Sequence, residues 1–247
     1  MDQLRPAHDL LLDMALLEPG MRALEVACGT GLVTLRIAEQ VWPEGSVYAT
    51  DISGEMVTAT AAQAALKGID NVSTARADGE ALDVEDATFD TAICALGLMY
   101  VVEPVNALAE MRRAVRPGGR VTVTVWGERK RCGWADIFPI VDAEVSSEVC
   151  PLFFSLGAPG ALANAMTAAG LGQIEERRLP AILKFPDEDA VIEAQIDGGA
   201  VALAAKRFDQ DTRQRVNTAF LESVAAYRQA DGSYEIPGEF VTATGVA

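Results

Sequence analysis

The run Leu24-Glu25-Val26-Ala27-Cys28-Gly29-Thr30-Gly31, followed by Asp51 and then Asp78, is where this chain concentrates groups able to do chemistry. Small residues at a strand-to-helix turn let a ligand approach the backbone closely, and a carboxylate about 20 residues further on, closing the next strand, accepts two ribose hydroxyls. Glu25, within the end of the first strand, suits a ligand carrying an ammonium group. Asp78 ends the third strand, where the exocyclic amine of an adenine can be bound. The pattern therefore predicts an adenosine-type pocket. Glycine turns without ligands are common, so Gly29 and Gly31 alone carry little; the acid at 51 adds the weight.

A dinucleotide is the rival ligand. Its fingerprint G-x-G-x-x-G places glycines at 27, 29 and 32, where this chain has Ala27, Gly29 and Leu32, so the third glycine, needed for close helix packing, is absent. Glu25 also has no place facing a pyrophosphate. A nicotinamide-dependent oxidoreductase is disfavoured on these grounds, and a noncatalytic adenosyl-binding protein is the remaining alternative to an enzyme.

Alternating elements must position these residues. An apolar helical pattern over 8–17 stops at Pro19-Gly20. Strands are predicted at 21–27, 46–50, 72–77, 91–98 and 120–126, with helices at 32–41, from an N-cap at Ser53 to 67, and at 105–115, the last ended by Pro117-Gly118-Gly119. Strands and helices joined by short turns imply right-handed crossovers and a doubly wound, mostly parallel α/β sheet. Beyond Gly127 lie an aromatic and proline-rich segment to Pro159, a helix near 160–169, a strand at 174–185, two or three helices over 187–230 and a last strand at 234–246. One domain over 1–247 is expected, with 187–230 as a helical cap between the last two strands and 1–20 as an N-terminal helix.

Composition narrows the partners. The 247 residues carry 20 Lys+Arg against 36 Asp+Glu, a net charge of −16, which argues against a nucleic-acid backbone as partner. Cys28, Cys94, Cys132 and Cys150 lack C-x-x-C spacing and read as reduced thiols, pointing to a cytoplasmic protein without a metal site. Acids at 2, 9, 13 and 18 interrupt any signal-peptide core, and the apolar run at 92–102 is far too short to span a membrane.

On the motifs LEVACGTG, Asp51 after the second strand, ADGEALDVEDATFD and RRAVRPGGRVTVTVW, residues 20–127 resemble the class I S-adenosylmethionine-dependent methyltransferases, especially the bacterial group related to ubiquinone/menaquinone C-methyltransferases. The ending YEIPGEFVTATG is similar to that group's last strand. The resemblance implies a Rossmann-like sheet of seven strands with a reversed final hairpin, S-adenosylmethionine as cofactor, and a small, partly apolar acceptor. It assigns Glu25 and the backbone of Ala27, Cys28, Gly29, Thr30 and Gly31 to the methionine end. Asp51 falls to the ribose, Ile52 and Met56 beside the adenine, Asp78 and Gly79 to its amine edge, and Ala95 and Leu96 near the sulfonium. Relatives often have glycine where this chain has Ala27.

Methyl transfer from a sulfonium needs alignment and exclusion of water, with no obligatory protein nucleophile. For a base, His8 and Tyr100 are the candidates; a capping role for His8 and a core role for Tyr100 are the bland readings. Trp126, Trp134, Phe138, Phe153 and Phe154 read mostly as cap-to-core packing, with an apolar acceptor pocket as the sharper alternative. Arg129-Lys130-Arg131 reads as a solvated loop before it reads as an anion clamp. The methylated atom and the oligomeric state are not legible.

Overall fold

A computed structural model describes residues 3–145 and 153–247. Strand β1 (Arg22–Val26) is buried at four of its five positions and lies in parallel between β2 (Ser46–Asp51) and β4 (Phe89–Ala95). A strand covered on both faces has to be apolar, as Ala23, Leu24 and Val26 are, which makes Glu25 at this place conspicuous. β3 (Val72–Arg76) and β5 (Val115–Trp126) extend the parallel sheet outward. The full order is β3-β2-β1-β4-β5-β7-β6, with β7 (Tyr234–Val246) antiparallel to both β5 and β6 (Gly172–Phe185). This is the seven-stranded sheet with a reversed last strand that the resemblance implied. Buried Thr122 and Thr124 on β5 meet Thr244 and Thr242 on β7, hydroxyl to hydroxyl at 2.9 and 2.7 Å, so the reversed strand is held by side chains as well as by its ladder.

Helices cover both faces. α1 (Arg5–Ala15) and α2 (Thr34–Val41) pack Leu11, Leu12, Ile37 and Val41 against Ala23, Val47 and Ile93. α3 (Gly54–Leu66) starts where the Ser53 hydroxyl accepts from the Met56 amide. On the other face α4 (Pro104–Ala114) and α6 (Ala161–Ala168) bury Leu108, Met111, Leu162 and Met166. α5 (Ile137–Glu144) joins a third core, rich in rings, with the segment between β6 and β7. That segment comprises α7 (Glu188–Ile192), a π-helical turn (Glu193–Asp197), α8 (Ala202–Ala205) and α9 (Gln210–Ser223).

Two boundaries differ from the sequence pattern. The first helix ends at Ala15 with Leu16 at φ 51°, short of Pro19-Gly20. The helix expected to run to Val115 and stop at Pro117-Gly118-Gly119 ends instead at Ala114, and Val115 already pairs with Phe89. The three breakers form an irregularity inside β5: a Cβ on Gly119 would lie 2.4 Å from the Asp90 carbonyl, so the close approach of β4 demands glycine there. β4 likewise starts at Phe89 and ends at Ala95, after which Leu98–Tyr100 make a 3-10 turn. Cys150 lies outside the described residues.

Candidate active site

The carboxyl ends of β1, β2 and β4 open into one cleft of about 750 Å³. Such a crevice beside the first strand of a doubly wound sheet is where ligands bind in this architecture. Of the cofactor residues anticipated from sequence, Glu25, Ala27, Cys28, Gly29, Thr30, Asp51, Ile52, Met56, Asp78, Gly79, Ala95 and Leu96 all line it, as do both base candidates, His8 and Tyr100. Gly31 does not. It sits behind the loop at φ 88°, where a Cβ would stand 3.2 Å from the Thr60 side chain, and so serves the turn and the packing of α3.

Glu25 is 1 % exposed, and its Oε2 accepts from the Thr34 hydroxyl at 2.5 Å. Burial pushes its carboxyl up to about 8, with the neighbouring charge of Asp51 adding to the effect. A carboxylate this poorly solvated favours a cation placed beside it. Asp51 closes β2 with both oxygens engaged: Oδ2 accepts from the Gly29 amide and Oδ1 from the Ser53 amide, each at 2.9 Å. The two amides fix the carboxylate plane while leaving lone pairs for hydroxyl donors.

Backbone conformation shapes the floor. Ala27 and Leu96, after β1 and β4, hold φ 59° and 56°, left-handed values that cost a side-chain-bearing residue energy and gather at functional sites. The Ala27 methyl has a structural consequence, because a Cβ on Gly97 would fall 2.3 Å from it. Alanine at 27 thus obliges glycine at 97. On the adenine side, Asp78 Oδ1 accepts from the Glu80 amide at 2.9 Å, and Glu80 Oε1 accepts from the Val102 and Glu103 amides at 3.2 and 3.3 Å, tying the loop after β3 to the loop before α4.

Several wall residues carried no sequence signal. Leu4 and Glu80 belong here, as do Gly198 and Leu203 from the segment between β6 and β7. Leu32, Ile52, Tyr100, Val102 and Leu203 are each more than half exposed while lining the cleft, giving its mouth an apolar rim. Alternating period or glycine spacing cannot reveal a rim, since its members come from four separate segments, one of them the helix α8.

His8, on α1, is 3 % exposed. Tyr100 is half exposed overall, and desolvation pushes its phenol up to about 12. Burial also raises Cys28 and Cys94 to about 12 and Cys132 to about 11, leaving three inert thiols. Among the described residues no cluster of ligating side chains could hold a metal, and no helix is long and apolar enough to cross a membrane.

A second cavity of about 240 Å³ adjoins the first, sharing Leu4, Leu96, Tyr100 and Gly198. Trp126, Trp134 and Phe153 form its walls, whereas Phe138 and Phe154 pack behind them, with ring centroids 5.0 and 5.1 Å from Phe153. The aromatic segment therefore divides between lining and packing. The basic run lines neither cavity: Lys130 pairs with Glu128 at 3.0 Å, and Arg131 with Glu128 at 3.2 Å and the buried Glu239 at 3.4 Å.

Fold and crevice together define a doubly wound α/β protein with an open cleft at the ends of its central strands. Residues 23–119 match the methyltransferase domain family. The chain is 32 % identical over 206 residues to nocamycin O-methyltransferase of Saccharothrix syringae, covering 76 % of this chain and 72 % of that one. It is 38 % identical over 113 residues to a ubiquinone/menaquinone biosynthesis C-methyltransferase of Teredinibacter turnerae, where the match takes in 45 % of either chain. Among solved structures, the YcgJ protein of Bacillus subtilis superposes with a TM-score of 0.65 at 15 % identity, covering 98 % of both chains. The chain belongs to the class I S-adenosylmethionine-dependent methyltransferases, in the group related to the ubiquinone/menaquinone C-methyltransferases, and its cofactor is S-adenosylmethionine.

Proposed function

We propose that the larger cleft holds S-adenosylmethionine and that the methyl group passes to a small, partly apolar molecule entering from the smaller cavity. The observation that carries this reading is the junction of the two spaces at Leu96, Tyr100, Leu4 and Gly198. Glu25 would face the ammonium of the methionine tail, and the buried carboxylate fits a positive partner better than it fits water-free isolation. The ribose hydroxyls would donate to Asp51, and the adenine would lie between Ile52 and Met56, its amine toward Asp78 and Gly79. The backbone from Ala27 to Thr30 admits the tail, and Ala95 and Leu96 border the sulfonium.

Bound there, S-adenosylmethionine would supply an electrophilic methyl group for an acceptor nucleophile. The protein's part is alignment and exclusion of water. Leu4, at the N-cap of α1, and His8 on α1 supply a cover from the N-terminal side, and the 187–230 segment supplies Gly198 and Leu203 from the other. We read the chain as one domain with that segment as its cap, working in the cytoplasm on a metabolite and with no nucleic acid. His8 and Tyr100, both lining the larger cleft, are the base candidates.

Calorimetric titration with S-adenosylhomocysteine and with NADH tests the assignment. The homocysteine product should bind in the micromolar range or tighter and NADH not at all; the reverse would return the chain to nicotinamide chemistry. Unchanged turnover in His8→Asn on a methylated acceptor removes His8 from the mechanism.

A further inference from the structure

Within the acceptor reading just given, the smaller cavity has a chemical character of its own. Its lining contains no charged side chain: besides its aromatic and aliphatic members it offers the carboxamides of Gln3 and Gln195. Gln3 is committed, since its Oε1 accepts from the Lys184 amide at 2.8 Å and its Nε2 donates to the Lys184 carbonyl on the edge strand β6. Gln195 is different. It is 9 % exposed, sits in the π-helical turn, and among the described residues its carboxamide makes no hydrogen bond. The indole Nε1 of Trp134, which also lines the cavity, is buried and without a partner among the described residues.

A buried donor left unpaired, as the Trp134 indole is, costs on the order of 1–3 kcal/mol, and π-helical turns frequently mark functional sites. Together with an uncharged, ring-lined space this describes a recognition site. About 150 Å³ suffices to enclose benzene, so about 240 Å³ admits one substituted ring and excludes a long chain lying wholly inside. An anion would lose its hydration there with no cation to meet it.

We propose that this cavity binds the ring of an uncharged hydroxyaromatic acceptor, with Gln195 hydrogen-bonding its hydroxyl or an adjacent oxygen. Trp126, Trp134 and Phe153 enclose the ring, and Tyr100 and Leu96 stand at the passage toward the donor cleft. Gln195 is then the residue that separates a phenol from the corresponding hydrocarbon, because a ligand that displaces water from the amide without bonding it leaves that amide unpaired.

Titration of the protein saturated with S-adenosylhomocysteine against 4-ethylphenol, 4-ethylbenzoate and ethylbenzene, followed by tryptophan fluorescence and calorimetry, tests this. 4-Ethylphenol should bind at least tenfold more tightly than the other two. Gln195→Leu should bring phenol and hydrocarbon within threefold of each other while leaving the affinity for S-adenosylhomocysteine within twofold, and Gln195→Met, a second shape, should do the same if the first variant melts early. Equal binding of phenol and hydrocarbon by the parent, a preference for 4-ethylbenzoate, no binding of any of the three, or a phenol preference that survives both folded variants overturns the proposal. Failure to bind S-adenosylhomocysteine at the outset instead sinks the donor-site reading on which it rests.

Discussion

The two cavities are built on opposite plans. The donor cleft is walled by backbone and acids from β1, β2, β3 and β4, and its key groups fall within short motifs between Glu25 and Leu96. The neighbouring cavity is walled by side chains from the chain's first turn, the end of β5, the aromatic segment, β6 and the π-helical turn, none with a spacing of its own. A ligand shared by a whole family can be held by main chain and fixed acids, which tolerate sequence change around them. A ligand peculiar to one member is held by side-chain volume, which leaves no motif.

If that contrast is right, damage to the first plan should hurt donor binding most. Asp51→Ala removes the proposed ribose acceptor and also orphans the Gly29 and Ser53 amides that it holds at 2.9 Å. With hydrogen bonds to a charged group contributing about 1.5–3 kcal/mol, S-adenosylhomocysteine affinity should fall by at least a hundredfold in calorimetry. A loss of under fivefold would mean that the carboxylate is only a turn brace.

Next in size is a steric consequence of Ala27. Gly97→Ala would bring two Cβ atoms within 2.3 Å, and overpacking of this kind costs about 1–3 kcal/mol. The expected result is a clear drop in Tm, largely recovered in the double variant Ala27→Gly/Gly97→Ala, whose alanine and glycine have changed places. Additive losses in that double-mutant cycle would show that the two residues do not share the space.

How legible each plan was follows from the same contrast. Nearly every strand could be anticipated, because buried parallel strands and glycine turns are local patterns, whereas the reversed final hairpin was implied by the resemblance alone. The start of β5 could not: Pro117-Gly118-Gly119 reads locally as a helix stop, and only the pairing of Val115 with Phe89 makes it an irregular strand. Gly31 was placed in the cleft because the motif includes it, although its lack of a Cβ serves Thr60 on α3. Gln195 was invisible, since a lone glutamine in a helical stretch has no signature until the fold buries it. The aromatics were recognised as a group, but which of them line and which pack is decided by ring orientation.

Glu25 gives a pH test of the donor plan. Its carboxyl titrates near 8 in the folded chain against about 4.5 when solvated, so the folded state binds the extra proton and stability declines as pH rises through that window. An ammonium ligand reverses the preference by favouring the ionised form. S-adenosylhomocysteine should therefore bind more tightly from pH 6 to about 8, by no more than about tenfold per unit, and release a proton detectable as a buffer-dependent enthalpy. Above about 8 the carboxyl is already ionised and the rise levels off. Glu25→Gln should flatten the rise; a rise that persists in that variant assigns it to another group.

The smallest effect is the one that tests the second plan from outside. Lys130 is 74 % exposed by side chain and 3.0 Å from Glu128, and Arg129 stands 3.9 Å from Asp136. Exposed pairs of this sort contribute about 0–1 kcal/mol. Lys130→Ala and Arg129→Ala should shift neither Tm by more than a degree or two nor the turnover of a hydroxyaromatic acceptor by more than twofold. A large rise in KM for the acceptor, with kcat unchanged, would show that these cations meet an anionic substrate. The uncharged cavity would then be packing rather than a binding site, and the division between a main-chain donor site and a side-chain acceptor site would have to be redrawn around this loop.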